Sequence, residues 1–108
     1  MAESTDPDVA WPQILDALAS RDMEAAKKLI WPRGAGVDWL YSIAPMMEMR
    51  AGWYEQSDPE LAVFCYEQAR TLYRSQAAGA TSGGEGLAMM DENRDDELGR
   101  KIWRLKGG

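Results

Sequence analysis

The stretch SDPELAVFCYEQARTLYRS, residues 57–75, contains the clearest secondary-structure signal in the chain. A capping residue precedes Pro59, which suits the first helical position, and Glu60 adds an acid to the first turn. Apolar or small residues then recur at the spacing of one helical face, at Leu61, Cys65, Ala69 and Leu72. The stretch therefore predicts a helix from Pro59 to about Ser75.

Similar patterns predict further helices on both sides of this stretch. Together with it they cover residues 12–19, 23–30, 39–56, 59–75 and 95–105. Pro45 falls inside the third pattern, so we expect a kink or a break there. No stretch alternates with a period of two, so no sheet is expected. The predicted fold class is all-α, with four to five helices in antiparallel helical hairpins that form a small bundle.

A chain of 108 residues is expected to form one domain. Residues 1–8 are polar and acidic and are predicted to be a flexible N-terminal arm. Residues 9–108 would then be the single helical domain. Within it, AAGATSGGEG at residues 77–86 has the composition of a flexible connector.

Two segments of the chain are similar to each other. DMEAA at residues 22–26 and DPELA at residues 58–62 lie one repeat length apart, and this echo resembles tetratricopeptide-type helical hairpins. The W-x2-L-G-x2-Y pattern of those repeats is absent from both first helices, and Gly52 is out of register. The resemblance implies stacked helical hairpins and no particular ligand.

The composition excludes several classes of function. The net charge of −6 and the pI near 4.6 argue against binding to nucleic acid or to an anionic membrane surface. The chain has no histidine, which removes Ser-His-Asp and Cys-His catalysis and His-ligated metals. An enzyme would have to use carboxylates, Lys or Arg, and we predict that the protein is not an enzyme and has no cofactor.

The expected location is the cytoplasm. There is one cysteine, Cys65, so no internal disulfide can form, and its place in an apolar helical pattern is typical of a core residue. The chain contains no apolar run long enough to cross a bilayer. The N-terminal residues MAESTDPDVAW are acidic and polar, unlike a signal peptide.

An acidic cluster occupies residues 91–97, with sequence DENRDDE. Asp91, Asn93 and Asp95 alternate as in a calcium loop, but an EF-hand would need Gly at position 96 and Glu at position 102. The local interpretation is a helix start, in which Asn93 or Asp95 is the cap and the acids complement the helix dipole. Asp96 and Glu97 would then pair with basic residues four positions later.

Trp and Met residues concentrate between residues 31 and 53. Their spacing predicts a core between helices. The alternative is an apolar contact surface for a partner, because Trp and Met are enriched at interfaces. We combine this stripe with the acidic cluster into one set of predicted partner-binding residues: Trp39, Met46, Met47, Trp53, Asp91, Asp95 and Asp96. No residue is predicted to be catalytic or to bind a metal.

The predicted function is a small acidic protein–protein interaction module that occupies a partner's surface, as an inhibitor, immunity-type protein or adaptor does. The partner would be another protein, with a basic surface as one alternative. A second hypothesis is a structural subunit that forms homo-oligomers through its Trp/Met-rich face. Carboxylate-based metal binding or catalysis, and acidic mimicry of nucleic acid, are further alternatives.

Overall fold

A computed structural model describes residues 6–32, 37–79 and 85–107 of the chain. Over these residues it contains five helices: α1 (Pro7–Ala19), α2 (Met23–Ile30), α3 (Val37–Tyr54), α4 (Pro59–Gly79) and α5 (Glu85–Leu105). The described residues include no strand. The predicted all-α fold class is confirmed. The predicted stop at residues 33–36 and the centre of the predicted connector, residues 80–84, lie outside the described part.

Aspartates cap three of the helices. The carboxylate of Asp6 accepts a hydrogen bond from the Asp8 amide at 3.0 Å, and that of Asp22 accepts one from the Ala25 amide at 3.1 Å. Asp58 accepts from the Leu61 amide at 3.3 Å and so caps α4 directly before Pro59, as predicted. α1 therefore starts at Pro7, inside the segment that was predicted to be a flexible arm.

α3 continues through Pro45 without a break. Proline lacks an amide hydrogen, so the carbonyl of Tyr41, four residues earlier, loses its usual partner in the helix. Both residues lie on the exposed side of α3, where water can hydrogen-bond that carbonyl. The position of Pro45 on the solvent side therefore explains how the helix tolerates it.

α5 begins at Glu85, ten residues before the predicted start at Asp95. Asn93 and Asp95 are therefore interior residues of the helix, and the prediction that one of them is its cap is wrong. α4 also extends to Gly79, so both ends of the predicted connector are helical. Asp95 forms ion pairs with Arg70 and Arg74 of α4, and these tertiary contacts offset its low helix propensity.

The helices are arranged around α4, against which both α3 and α5 pack. α1 and α2 form a hairpin that joins this group through α1 against α3 and α2 against α4, with far fewer contacts. The molecule measures 40 × 38 × 17 Å. The shortest of these dimensions is less than half of either of the others, so the bundle is flat.

The core draws on every helix. Its buried residues include Ile14, Leu18, Ile30, Trp39, Ile43, Met47, Leu61, Cys65, Leu72, Leu98 and Ile102. The indole nitrogen of Trp39 donates a hydrogen bond to the carbonyl of Ile30 at 2.9 Å, which satisfies both groups inside the core. In the part of the chain that the structure describes, no helix is both long and apolar enough to span a bilayer.

Candidate functional site

The solvent side of α3 carries a continuous row of apolar side chains. Tyr41, Pro45, Met49 and Trp53 follow one another at intervals of four residues and are all exposed. Met49 is 77% exposed and Trp53 is 66% exposed, whereas surface helices usually place polar residues on this side. We call these four residues the α3 row. The buried side of α3 is also apolar, so α3 lacks the continuous polar face that surface helices usually have opposite the core.

A groove lies between α1 and α3 beside this row. Its volume is about 380 Å³. It is lined by Trp11, Met46, Met49, Arg50 and Trp53, which we call the α1–α3 groove. The groove stays open because α1 and α3 touch over only a short length. Among the described residues, its lining contains aromatic rings, thioethers and one guanidinium group, but no carboxylate.

Arg50 is the one charged residue of this lining. Its guanidinium carbon lies 4.6 Å from the ring centroid of Trp53 and 5.9 Å from that of Tyr54. The two rings meet edge to face, with centroids 5.1 Å apart. Among the described residues Arg50 forms no ion pair. Its positive charge is therefore held over aromatic faces and is not neutralised by an acid.

A second groove, of about 410 Å³, lies on the other side of the α3 row, between α3 and α5. Here Arg94 and Glu48 form an ion pair, whereas Lys101, which also lines this groove, forms none with the described residues. Nη1 of Arg94 lies 2.7 Å from Oε1 and 2.9 Å from Oε2 of Glu48, and the hydroxyl of Tyr73 donates to Glu48 Oε1 at 3.0 Å. The guanidinium of Arg94 also lies 5.3 Å from the Tyr73 ring centroid. The network ties α3, α4 and α5 together.

Tyr66 forms the floor of this second groove, which we call the α3–α5 groove. Its hydroxyl donates to Glu55 Oε2, and the Nζ of Lys101 lies 5.4 Å from its ring centroid. Burial raises the pKa of the Tyr66 hydroxyl, and the hydrogen bond to Glu55 raises it further, so the phenol stays protonated. The groups of the α3–α5 groove are therefore engaged with one another.

Asp95, one of the predicted partner-binding acids, already forms ion pairs with other residues of the chain. Its Oδ1 lies 2.9 Å from Nε of Arg70 and 2.6 Å from Nε of Arg74, and its Oδ2 lies 3.2 Å from Nη2 of each arginine. The hydrogen bonds from Arg70 and Arg74 lower the pKa of Asp95 to about 2. This carboxylate is thus already paired on the α4–α5 hairpin.

The other predicted partner-binding residues occupy different environments. Trp39 and Met47 are core residues with exposures of 1% and 0%, so a partner cannot reach them in this structure. Met46 and Trp53 line the α1–α3 groove. Asp96 is exposed on α5. Asp91 lies within α5, and its side chain is outside the described residues.

The predicted set therefore divides between the core, the α1–α3 groove and α5. Five residues of the groove or row were not predicted as site residues: Trp11, Tyr41, Pro45, Met49 and Arg50. The signal that could have found Tyr41 and Met49 is their four-residue spacing with Trp53, which places them on one side of a helix. Trp11 lies in a different helix and no local pattern connects it to α3.

Cys65 has no reactive character in this structure. It is buried, and its desolvation raises the pKa of the thiol to about 12. Over the described residues, no cluster of three or more His, Cys, Asp or Glu side chains is arranged to hold a metal ion. The side chains of residues 91–93, which belong to the calcium-loop alternative, lie outside the described residues.

Comparisons with known proteins were made for the whole chain. No protein-family model matches it, and no curated protein or solved structure matches it significantly. The function is therefore inferred from the site's own residues.

Proposed function

We propose that this protein is a small protein–protein interaction module that acts by occupying a partner's surface through the α3 row and the α1–α3 groove. The observation that carries the proposal is the exposure of Met49 and Trp53 at 77% and 66% on the solvent side of one helix. Contiguous apolar surface of this kind usually marks a contact site, because its burial is favourable. A cytoplasmic location remains part of the proposal.

The chemistry of the row suits a contact surface. Trp and Met are enriched at interfaces, and Trp is frequent among the residues that dominate binding energy. Trp53 is also held in place by Arg50 on its face and Tyr54 at its edge, so little side-chain freedom would be lost on binding. A preorganised ring is a better anchor than a mobile one.

The test compares two tryptophans with the same exposure. Trp53 and Trp103 are both 66% exposed, but Trp103 lies on α5 and lines neither of the two grooves. The full chain, the Trp53→Ala variant and the Trp103→Ala variant would each be immobilised and exposed to extract from the source cells. We expect one partner to be retained by the wild type and by Trp103→Ala, and to be lost with Trp53→Ala.

Equal capture by all three proteins, or no capture by any, would contradict the proposal. Circular dichroism and urea denaturation of each variant provide the folding control. A captured partner supports the proposal only if it also binds the purified chain with a one-to-one mass in light scattering and is released by the Trp53 substitution.

The alternative is a structural subunit in which the same row forms a homo-oligomer interface. The observation that favours it is the self-complementarity of an apolar ridge, which can pack against its own copy in a two-fold dimer. Size exclusion with light scattering over a dilution series separates the two proposals. A dimer that dissociates in Met49→Lys would favour the subunit, and a monomer at all concentrations would favour the interaction module.

A further inference from the structure

We propose that the occupant of the α1–α3 groove is an amphipathic helix of a partner protein that presents a carboxylate to Arg50. This inference rests on the proposed function and specifies its partner. This partner differs from the basic one that the sequence suggested, because the charged residue of the described groove is a cation and favours an acidic group.

The first argument is the state of the charges. The protein has a net charge of −6, yet the described residues that line the α1–α3 groove include one cation and no acid. Arg50 forms no ion pair with the described residues, whereas Asp95 and Glu48 are each bound by arginines. An unpaired guanidinium in an apolar groove favours a ligand that supplies a carboxylate, since desolvation strengthens such a pair.

The second argument is the shape of the surface. The α3 row runs from Tyr41 to Trp53, a separation of twelve positions, which corresponds to about 18 Å along the helix axis. Side chains at intervals of four residues form a ridge that packs into the groove of a facing helix. A small molecule would fill the α1–α3 groove and leave most of the row exposed. A partner helix would cover both, in the helix-in-groove mode of recognition.

The third argument concerns a second copy of this chain. A symmetric dimer through the row would bring two copies of Arg50 into one interface. Neither copy would contribute a carboxylate from the row or from the described lining of the groove, since none of these residues is acidic. Two cations without a counter-ion would oppose association, so a heterologous partner fits the charges better.

The experiment uses two matched synthetic peptides and the full chain. Each peptide is an amphipathic helix of about 18 residues, long enough to cover the row, with Leu on one face and Gln and Ala elsewhere. They differ at one position beside the apolar face, which is Glu in one peptide and Lys in the other. Binding is measured by fluorescence anisotropy of the labelled peptide at low ionic strength.

We expect the Glu peptide to bind the wild type about tenfold more tightly than the Lys peptide. The net charge of the protein favours the Lys peptide, so the opposite preference would have to come from a local cation. Arg50→Glu should reverse the preference. Arg100→Glu, which makes the same change of charge at an exposed position of α5, should leave it intact.

Equal binding of the two peptides, a preference for Lys, or no binding of either would overturn the inference. If Arg50→Glu does not fold, Arg50→Gln replaces it, and there the preference should disappear. The proposed function can survive this failure. Loss of partner capture in Trp53→Ala would still support it, whereas a partner that depends on neither Trp53 nor Arg50 would contradict both.

Discussion

The two sides of the α3 row differ in how their charges are satisfied. In the α3–α5 groove, Glu48 is bound by Arg94 and Tyr73, and Glu55 is bound by Tyr66. In the α1–α3 groove, Arg50 has aromatic rings beside it and no acid. α3 therefore lies between two different grooves. On one side Glu48 and Glu55 are bound by groups of the protein itself, and on the other side Arg50 has no acidic partner among the described residues.

This difference shows why the more polar groove is the weaker candidate for a binding site. A ligand entering the α3–α5 groove would have to displace hydrogen bonds that already exist, at a cost that its own contacts must offset. A ligand entering the α1–α3 groove would bury exposed rings and thioethers and would add a counter-ion. Open apolar surface and an unpaired charge indicate binding more strongly than a concentration of charged residues does.

The largest expected effect separates the two tryptophans of α3. Trp39→Ala should lower the free energy of unfolding by about 3–5 kcal/mol, because it leaves a cavity in the core and removes the hydrogen bond to Ile30. Trp53→Ala should change it by no more than about 1 kcal/mol, because the ring is mostly exposed and loses only its contacts with Arg50 and Tyr54. Urea denaturation followed by circular dichroism measures both. A cost of about 3–5 kcal/mol for Trp53→Ala, the loss expected from a buried ring, would show that the row supports the fold.

The next effect concerns Asp95, whose two arginine partners lie on α4. Asp95→Asn should lower the free energy of unfolding by about 1–2 kcal/mol at neutral pH. The pKa of Asp95 is lowered to about 2, so its contribution is complete above the unfolded carboxyl pKa of about 3.9 and is lost as the pH falls towards 2. Unfolding of both proteins across this range should therefore show their difference shrinking with acid.

The matched control for this prediction is the neighbouring acid. Asp96→Asn makes the same chemical change at an exposed position of α5, without an ion pair among the described residues. Its effect should stay within about 0.5 kcal/mol. Equal effects of the two substitutions would show that general charge, and not the arginine clamp, stabilises this hairpin.

A smaller effect is expected at Glu48 in the α3–α5 groove. Glu48→Gln keeps an acceptor for Tyr73 but removes the charge that faces Arg94, so a loss of about 1 kcal/mol is expected. A double-mutant cycle with Arg94→Gln isolates the pair. A coupling energy near zero would mean that the α3–α5 groove is held together by packing alone and that its ion pair is dispensable.

The helical fold could be read from the sequence because its signals are local. The cap at Asp58, Pro59 in the first turn and the apolar spacing from Leu61 onwards depend on neighbouring residues only, and they predicted the start of α4 correctly. The start of the last helix, α5, was harder to predict. The acids of residues 91–97 suggested a helix start, but Asp95 is held inside α5 by arginines of α4, and such a contact has no local signature.

The candidate site was only partly predictable for the same reason. The sequence pointed to a Trp/Met stripe, and the stripe contains both core and surface residues: Met47 is buried, and Met49, two positions later, is exposed on the opposite side of α3. Helical periodicity can separate such positions only when one side of the helix is polar. Trp11 and Arg50 join the groove through packing between helices, which no spacing in the sequence reveals.

The smallest expected effect is the most direct test of the α3 row. Met49→Lys should change the free energy of unfolding by no more than about 0.5 kcal/mol, because a side chain that is 77% exposed has little apolar surface to lose from the fold. Met47→Lys is the matched control, since the same charge at a buried position must be desolvated and should unfold the chain. Thermal and urea unfolding of both variants measure the contrast. If Met49→Lys were as damaging as its control, the row would be part of the core and unavailable to a partner. If it is neutral, the exposed thioether contributes almost nothing to folding, and the row stays available for the proposed contact with another protein.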